Sequence, residues 1–245
     1  MNYQWNWGIF LEQVKNGDET YLDWLLTGFG WTVAVSLSAW IIALSLGILL
    51  GTLRTVPSRL LVGAATAWVE LFRNIPLLVQ MFLWFFVVPE LLPRDWGLWI
   101  KQELPAKEFL TATVCLGLFT SSRVAEQVRA GIQALPSGQR MAGLAMGLSL
   151  PQTYRYVLLP TALRMVVPPL TSEFMNVFKN SSVAFAIGVM ELTFQARQMQ
   201  EDAEQGIETF LGVTLLYFVC AFSANRVMTV IERRTRIPGN IAGQH

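Results

Sequence analysis

The polar residues that interrupt the long apolar stretches of this sequence fall into two groups. The first group lies within the stretch from Leu61 to Val88 and comprises Glu70, Arg73 and Asn74. The second group lies within the stretch from Met165 to Gly188 and comprises Glu173, Asn176, Lys179, Asn180 and Ser181. An ammonium group and a carboxamide can both bind a carboxylate. Lys179 and Asn180 are therefore the leading candidates for contact with an acidic solute.

The spacing of both groups fits a helix. Glu70 and Arg73 stand three residues apart, so they can pair on one helix face. Glu173, Asn176 and Asn180 recur at i, i+3 and i+7 and form a polar stripe. Ionisable groups at membrane depth cost about 2.5–3.5 kcal/mol each, so they usually face a cavity or a partner.

A purely structural role stays open for both groups. The Glu70–Arg73 pair can equally lie near one end of its helix and hold only the fold. Lys179 stands off the polar stripe, so it can instead pair with a nearby glutamate or extend its ammonium group to the membrane surface.

Several other chemistries are disfavoured by what the sequence lacks. The only histidine is His245 at the terminus, so a histidine-based metal or catalytic site is not expected. Cys115 and Cys220 both stand in apolar runs, where cysteine behaves as a small buried residue. No GxxxxGKS or GxxxxGKT motif occurs, so the chain does not bind ATP through a P-loop. No cofactor is expected, and a net charge of +1 argues against a nucleic-acid partner.

The composition is that of a membrane protein. The chain has 245 residues, of which 53% are hydrophobic and 14% charged, and its mean hydropathy of +0.43 is too high for one soluble core. A helix needs about 20 residues to cross the hydrocarbon layer. The sequence therefore predicts an all-α membrane protein with five spanning helices, at residues 31–53, 61–88, 109–125, 165–188 and 207–225.

Glycine and proline make local predictions within these spans. Gly47 and Gly51 form a GxxxG motif, which allows another helix to approach closely. Pro76 interrupts the second span. Pro168 and Pro169 cannot donate to the helix ladder, so they are expected to open the fourth span. The same helix is expected to weaken after Asn180, where two serines follow.

Two segments outside the spans are rich in tryptophan. Residues 1–27 are predicted to be an external segment whose indole rings suit the headgroup level, with a frayed tail as the alternative. Residues 89–108 are predicted to be an external loop that holds an interfacial helix around Trp96 and Trp99.

The distribution of charge predicts the orientation of the chain. The three segments that follow the first, third and fifth spans hold 11 of the 18 Lys and Arg residues. The other three segments hold 5 of them and 13 of the 17 acidic residues. Because cytoplasmic loops carry an excess of Lys and Arg, the N-terminus is predicted outside and the C-terminus in the cytoplasm.

The longest basic connection, residues 131–160, is predicted to form two short helices. Ser137 can cap the first helix, and Gly147 can end it in the left-handed conformation. Ser149 then restarts a helix, which Pro160 is expected to stop.

One face of this loop is apolar and its edge is basic. Met141, Leu144, Ala145 and Leu148 recur at helical spacing, and the flanking Arg140 and Arg155 have no acidic neighbour in the loop. Such a surface suits docking by something outside the chain, with an ordinary helical hairpin as the alternative.

The loop resembles the EAA loop of the permease subunits of ATP-binding-cassette importers. That pattern is Glu-Ala-Ala, three residues, Gly, six residues, an aromatic, two residues, Ile, one residue and Leu-Pro. Met141 stands where the pattern has Glu, and Gly143 stands where it has the second Ala. The resemblance implies an ATPase-coupling loop formed by Ala142, Gly143, Gly147, Tyr154, Val157, Leu159 and Pro160.

Other stretches resemble the polar amino-acid branch of these importers, closest to the glutamate/aspartate permeases. They include the runs 70–80 and 125–139 and the opening Trp-Asn-Trp-Gly-Ile-Phe. The resemblance implies a single permease domain over residues 1–245 with the type I importer fold and cytoplasmic coupling helices. It also implies that the helix carrying Lys179 lies beside the translocation path.

The resemblance further implies the partners and the location. We expect two ATPase subunits, a second and paralogous permease, and a periplasmic amino-acid-binding protein around a chain in the lipid bilayer of the bacterial inner membrane. The chain itself is not expected to be an enzyme. A permease for glutamine or another polar amino acid is one alternative. An ion-coupled secondary transporter is another, although such proteins usually show internal repeats that are not evident here.

Overall fold

The computed structural model describes residues 3–15 and 17–235, and this part of the chain is almost entirely helical. An isolated antiparallel bridge joins Gln13 and Thr20. The α-helices of the described range are α1 (Tyr21–Leu53), α2 (Arg59–Asn74), α3 (Leu77–Phe82), α4 (Val88–Leu91), α5 (Arg94–Gln102), α6 (Lys107–Gln133), α7 (Ser137–Ala145), α8 (Leu150–Thr153), α9 (Leu159–Asn180), α10 (Leu192–Ala203) and α11 (Gly206–Thr235). Two 3-10 turns (Trp7–Leu11, Ser181–Ile187) and two π-helical turns (Leu83–Val87, Tyr154–Leu158) complete the list.

The all-α prediction is confirmed for the described residues, while the number of five spans stays a prediction. Helices α1 and α11 are long and apolar enough to cross a membrane, and a third crossing is added if α2 and Leu77–Leu91 count as one broken span. The predicted span 109–125 lies within α6, and the predicted span 165–188 covers most of α9 and the 3-10 turn that follows it, ending one residue beyond that turn. The C-terminal residues 236–245, which include Arg236 and His245, lie outside the described range.

The described chain divides into two compact units, and each is considered by itself. One unit, which carries the segments predicted to be external, takes in the described parts of 1–40, 75–117 and 176–222. The other unit, which carries the 131–160 loop, takes in the described parts of 41–74, 118–175 and 223–245.

The interruption predicted at Pro76 is confirmed. Helix α2 ends at Asn74 and α3 begins at Leu77. Pro76 itself has extended geometry, with φ −57° and ψ 138°. The residue before it, Ile75, is disfavoured in the helical region because the proline ring clashes with its backbone. The carbonyl oxygen of Ile75 instead accepts a hydrogen bond of 2.9 Å from Gln80 Nε2.

The prediction that Pro160 stops its helix is wrong. The turn before it, Tyr154–Leu158, is widened to a π-helical turn, in which the Leu159 N–H donates to the Tyr154 carbonyl. This wider turn lets the chain pass the proline, which lacks an N–H and crowds the preceding turn of an ordinary helix. The same arrangement occurs before Pro89, where the Val88 N–H donates to the carbonyl of Leu83.

Two other local predictions were wrong and one is confirmed. Pro168 and Pro169 lie inside α9 and do not open it, although neither can donate an N–H to the helix ladder. Ser137 is the first residue of α7 and does not cap it, since Pro136 holds the cap position. The predicted weakening after Asn180 is confirmed, because a 3-10 turn begins at Ser181.

The described N-terminal segment is built into its unit, so the frayed-tail alternative is wrong for those residues. Asn6 donates its backbone N–H to Glu208 Oε1 at 2.8 Å, and Tyr3 donates its hydroxyl to the same carboxylate. The Phe10 ring lies against Gly212 of α11, where an added Cβ would be 2.8 Å from the ring.

The GxxxG prediction is confirmed by the packing of α1 against α6. A Cβ at Gly47 would lie 2.5 Å from Val124, and a Cβ at Gly51 would lie 2.7 Å from both the Ala125 carbonyl oxygen and Val128. The two glycines therefore set the distance between these helices.

Replacing Gly51 with leucine is expected to force α1 away from α6. Overpacking of this kind costs about 1–3 kcal/mol, which corresponds to a fall of about 2–12 °C in the unfolding temperature of a domain of this size. Thermal unfolding of the purified protein in detergent measures the effect. Gly63→Leu is the matched control, since a Cβ at Gly63 would meet nothing within 4 Å. An equal shift in both variants would contradict the assigned contact.

Candidate functional site

The 131–160 loop folds as two short helices joined by a tight turn. Gly147 ends α7 with φ +85°, a left-handed conformation that glycine adopts without strain. The Leu148 N–H donates to the Gly143 carbonyl at 3.1 Å, which closes the turn. Ser149 caps α8 through a capping box, in which its backbone N–H donates to Gln152 Oε1 at 2.8 Å. The predicted roles of Gly147 and Ser149 are therefore confirmed.

The structure explains why Gly143 stands where the EAA pattern has its second alanine. Gly143 is buried, and a Cβ at this position would lie 2.8 Å from Thr153 Cγ2. Helix α7 therefore rests directly on α8 at this point. The two short helices of the loop are therefore packed against each other at this position.

The opposite side of α7 is exposed and apolar, and we call it the loop patch. It consists of Met141, Leu144, Ala145 and Met146, with Arg140 exposed next to it on the same helix. Arg155, in the π-helical turn of the same loop, is also exposed. Met141 is 60% exposed and Met146 is 83% exposed, which is unusual for large apolar side chains. Ala142 is exposed next to the patch, whereas the predicted Leu148 is half-buried. Exposed apolar surface rimmed by polar groups is typical of a protein-binding site.

Tyr154 anchors the loop to the turn that follows α1. Its hydroxyl donates to the Thr55 carbonyl oxygen at 2.7 Å and accepts from Thr55 Oγ1 at 3.1 Å. The side chain is only 6% exposed. Val157 and Leu159 are half-buried and Pro160 is exposed. The contact of Tyr154 with Thr55 ties the loop to the residues that directly follow α1.

Glu126, which was not predicted as a site residue, links several helices of the same unit through salt bridges. Glu126 forms salt bridges with Arg54 at 2.8 Å, Arg73 at 3.1 Å and Arg129 at 2.9 Å. The Arg54 side chain is only 8% exposed. The spacing of Glu126 and Arg129 could have suggested their pairing, but no local signal pointed to the other two arginines. The three bridges join the end of α1 to α2 and α6.

The first predicted polar group belongs to this network. Arg73 pairs with Glu70 at 3.2 Å, which confirms the predicted helical pair. Asn74 Nδ2 donates to Glu70 Oε2 at 2.8 Å. Because Arg73 also binds Glu126, the group is tied to the structural network, as the alternative interpretation proposed. A role in the substrate path stays a prediction.

The second predicted group lies along α9 and just after it. Glu173, Asn176 and Asn180 are partly exposed, and Lys179 is exposed. Ser181 is fully buried, and its hydroxyl donates to the Phe178 carbonyl at 2.8 Å. Its role in the substrate path stays a prediction. No salt bridge to Lys179 is found within residues 3–15 and 17–235. The predicted structural contact with a glutamate is therefore not seen in this range.

Two further polar residues of α9 were missed by the sequence reasoning. Arg164 and Ser172 are exposed and stand eight residues apart, which places them on one helix face. Lys179 follows seven residues after Ser172 and continues that face. The i, i+8, i+15 spacing could have revealed this second stripe. Lys179 is the charged member of this face that lies within the predicted span 165–188, and a lysine at that position is unsuited to lipid tails and fits a water-filled path or a partner protein.

Comparison with known proteins places these features in context. Residues 43–237 match the family model described as "Binding-protein-dependent transport system inner membrane component". The chain is 52% identical over the full length of both proteins to the glutamate/aspartate import permease protein GltJ of Escherichia coli. It is 31% identical to the probable glutamine ABC transporter permease protein GlnM of Bacillus subtilis, over 87% of this chain and 92% of that protein.

Solved structures show the same fold. A structure titled "Crystal structure of an amino acid ABC transporter with histidines" superposes with a TM-score of 0.74 at 27% identity, covering 87% of this chain and 95% of that one. The MetNI methionine ABC transporter in an inward-facing form gives a TM-score of 0.62 at 21% identity, over 89% of this chain and 96% of that one.

Proposed function

Because the chain belongs to the family of binding-protein-dependent transport system inner membrane components, we propose that it forms the membrane path of an ATP-driven importer for glutamate and aspartate. The full-length likeness to GltJ supports these substrates. The chain is a multi-pass permease subunit and not an enzyme, and ATP hydrolysis belongs to a separate subunit. Glutamine is the alternative substrate, suggested by the more distant GlnM.

The exposed polar face of α9 is the part of the chain proposed to meet the substrate. Glutamate and aspartate carry a net negative charge, and the ammonium group of Lys179 and the carboxamide of Asn180 can both bind carboxylates. Lys179 is exposed at the end of α9, where the helix gives way to the 3-10 turn. Irregular backbone at membrane depth is tolerated where it is buried or lines a water-filled cavity.

The loop patch is proposed to dock on an ATPase subunit. Its apolar side chains supply buried area on docking, and Arg140 and Arg155 supply charge at the rim. Movement of the docked loop would pull on Thr55 through Tyr154 and so on the end of α1. The Glu126 salt bridges would carry that movement to α2 and α6 as one body. Nucleotide binding would thus shift a two-state equilibrium between conformations of the path.

The remaining features of the assembly belong to the same proposal. Two ATPase subunits would serve two permeases, of which the second is a paralogue similar to GltK of Escherichia coli, itself 30% identical to this chain. A periplasmic amino-acid-binding protein would deliver the substrate. The N-terminus would lie outside and the C-terminus in the cytoplasm, which places the loop patch on the side of ATP. All of residues 1–245 would form one permease domain, with 131–160 as its coupling loop.

Replacement of Lys179 by glutamine tests the substrate path. We expect proteoliposomes that contain the complete transporter and its binding protein to import glutamate and aspartate when ATP is enclosed. In Lys179→Gln, uptake is expected to fall about tenfold or more, because the loss of one charge-assisted hydrogen bond costs about 1.5–3 kcal/mol. Basal ATP hydrolysis is expected to persist, since the substitution leaves every residue of the loop patch unchanged.

The matched control is Arg197→Gln, which removes an exposed positive charge from α10. Its uptake is expected to match that of the unmodified protein. Normal uptake in Lys179→Gln would contradict the role of this residue. Uptake driven by an ion gradient without ATP would instead contradict the importer and favour a secondary transporter.

A further inference from the structure

The unit that carries the 131–160 loop is strongly basic. The three sequence ranges of that unit hold 12 arginines, no lysine and 4 acidic residues. One of these acids, Glu126, is already shared by three arginines, and Glu70 is paired with Arg73. No aspartate or glutamate occurs from position 127 to position 172, a stretch that contains the whole loop. The loop therefore has no acid of its own to balance its cations.

Two arginines of the loop have exposed guanidinium groups. Arg140 lies on α7, directly before Met141 and one helical turn before Leu144. Arg155 lies in the π-helical turn, where its Cζ is 5.6 Å from the centre of the Tyr156 ring. Neither arginine forms a salt bridge with any residue that the structure describes. Their N–H donors are therefore available to carboxylates of another protein, which a guanidinium group can bind in a bidentate manner.

The loop patch next to Arg140 presents three large apolar side chains, those of Met141, Leu144 and Met146. Met141 and Leu144 stand three residues apart on one face of α7, and Met146 follows at the end of the helix. Methionine is unbranched and polarizable, so it adapts to irregular apolar surfaces. A protein that covers this patch must therefore offer it an apolar surface.

The side chain at position 141 restricts the charge that the partner can carry opposite it. The EAA pattern has a glutamate here, and a carboxylate would call for a cation on the partner. The thioether of Met141 cannot form an ion pair. A cation buried against it would lose its hydration without compensation. The partner surface that faces Met141 is therefore expected to be uncharged.

We propose that the ATPase subunit receives the loop patch in a groove with an apolar floor and an acidic rim, in which carboxylates bind Arg140 and Arg155 and no cation faces Met141. This inference rests on the proposed function and states the chemistry of its docking partner. ATP hydrolysis belongs to a separate subunit of the importer, which needs a contact with this chain. A neutral or basic rim would leave two guanidinium groups without counter-charge, so charge complementarity selects an acidic one.

The test measures binding of the ATPase subunit to the permease in nanodiscs of electrically neutral phosphatidylcholine. The intact transporter is purified, its ATPase subunit is removed, and that subunit is added back to unmodified and variant permeases. Arg140→Glu combined with Arg155→Glu is expected to weaken binding at least about tenfold, since each exposed ion pair contributes up to about a factor of five and like charges then repel. Added salt is expected to weaken binding of the unmodified protein more than that of the double variant.

Position 141 tests the floor of the groove. Met141→Glu restores the residue of the EAA pattern and is expected to weaken binding about tenfold or more, because its carboxylate would be buried without a cation. Met141→Leu keeps the volume and the apolar character, so it is expected to bind as the unmodified protein does. Arg59→Glu is the matched charge control, since Arg59 is exposed on the same unit outside the loop. It is expected to leave binding unchanged.

Three results would overturn the acidic groove while leaving the docking of an ATPase in place. Tighter binding by Met141→Glu would show that a cation faces this position. Equal weakening by Arg59→Glu would show that only the overall charge of the unit acts. An arginine effect that appears only when the nanodiscs contain anionic phosphatidylglycerol would assign the two loop arginines to the membrane surface. Failure of the unmodified permease to bind any ATPase subunit would instead overturn the proposed function, and this inference with it.

Discussion

Gly147→Val is expected to abolish substrate uptake while the chain still inserts in the membrane. Gly147 has φ +85°, and a β-branched residue in that region is strained, at a cost of about 1–2 kcal/mol or more. The strain is relieved if the turn between α7 and α8 opens, which breaks the Leu148–Gly143 hydrogen bond. The loop patch then loses its fixed position beside Tyr154. Uptake is measured in proteoliposomes, and insertion is measured by the yield of folded protein in detergent.

Asparagine and aspartate separate backbone strain from charge at the same position. No atom lies within 4 Å of a Cβ built on Gly147, so a side chain has room. Asparagine tolerates the left-handed conformation, and Gly147→Asn is therefore expected to keep most of the uptake. Gly147→Asp has the same shape but adds a negative charge beside the loop patch, and we expect it to abolish uptake and the coupling of ATP hydrolysis. Normal uptake in both the valine and aspartate variants would refute the coupling loop.

Glu126→Ala is expected to destabilise the protein by about 3 kcal/mol. Removal of this carboxylate leaves the Arg54 guanidinium, which is 8% exposed, without its 2.8 Å partner, and breaking a buried ion pair on one side costs about 3–5 kcal/mol. We take the lower value because Glu126 retains some exposure. Thermal unfolding in detergent is expected to show the loss, together with a reduced yield of folded protein.

A double variant distinguishes a lost interaction from a general packing defect. Glu126→Ala combined with Arg54→Met removes the uncompensated charge and is expected to recover part of the lost stability. Glu201→Ala is the surface control, because its contact with Arg197 spans 3.8 Å between exposed groups and contributes less than about 1 kcal/mol. A double variant no more stable than Glu126→Ala alone would mean that the pair with Arg54 is not the source of the effect.

The parts of the site that could be predicted are those specified by neighbouring residues. Gly147 and Ser149 act on their own turn, so their positions in the sequence were sufficient. The pairing of Glu70 with Arg73 follows from helical spacing alone. The resemblance of the loop to the EAA pattern predicted that the chain is an importer permease. The buried contact of Gly143 with Thr153 explains one departure from that pattern.

The parts that were missed depend on distant residues or on small backbone adjustments. Glu126 meets Arg54 across 72 positions and Arg73 across 53, and no local pattern encodes such contacts. The helix continues through Pro160 because the turn before it is widened. The general rule that proline ends a helix does not include such a turn. The burial of Ser181 and the hydrogen bond of its hydroxyl within its own helix turn could not be read from its polarity.

The π-helical turn before Pro160 also fixes the rotational phase of everything that follows it in α9. A turn that closes one residue late acts as a single-residue insertion, and each residue rotates a helix by about 100°. Loss of one residue from Tyr154–Leu158 would therefore swing Arg164 and Ser172 a quarter-turn around the helix axis, away from the side that they now share. The direction in which α9 points its polar side chains therefore depends on the number of residues in this turn. A deletion at this turn would change more than substitution of the exposed residue Tyr156 within it.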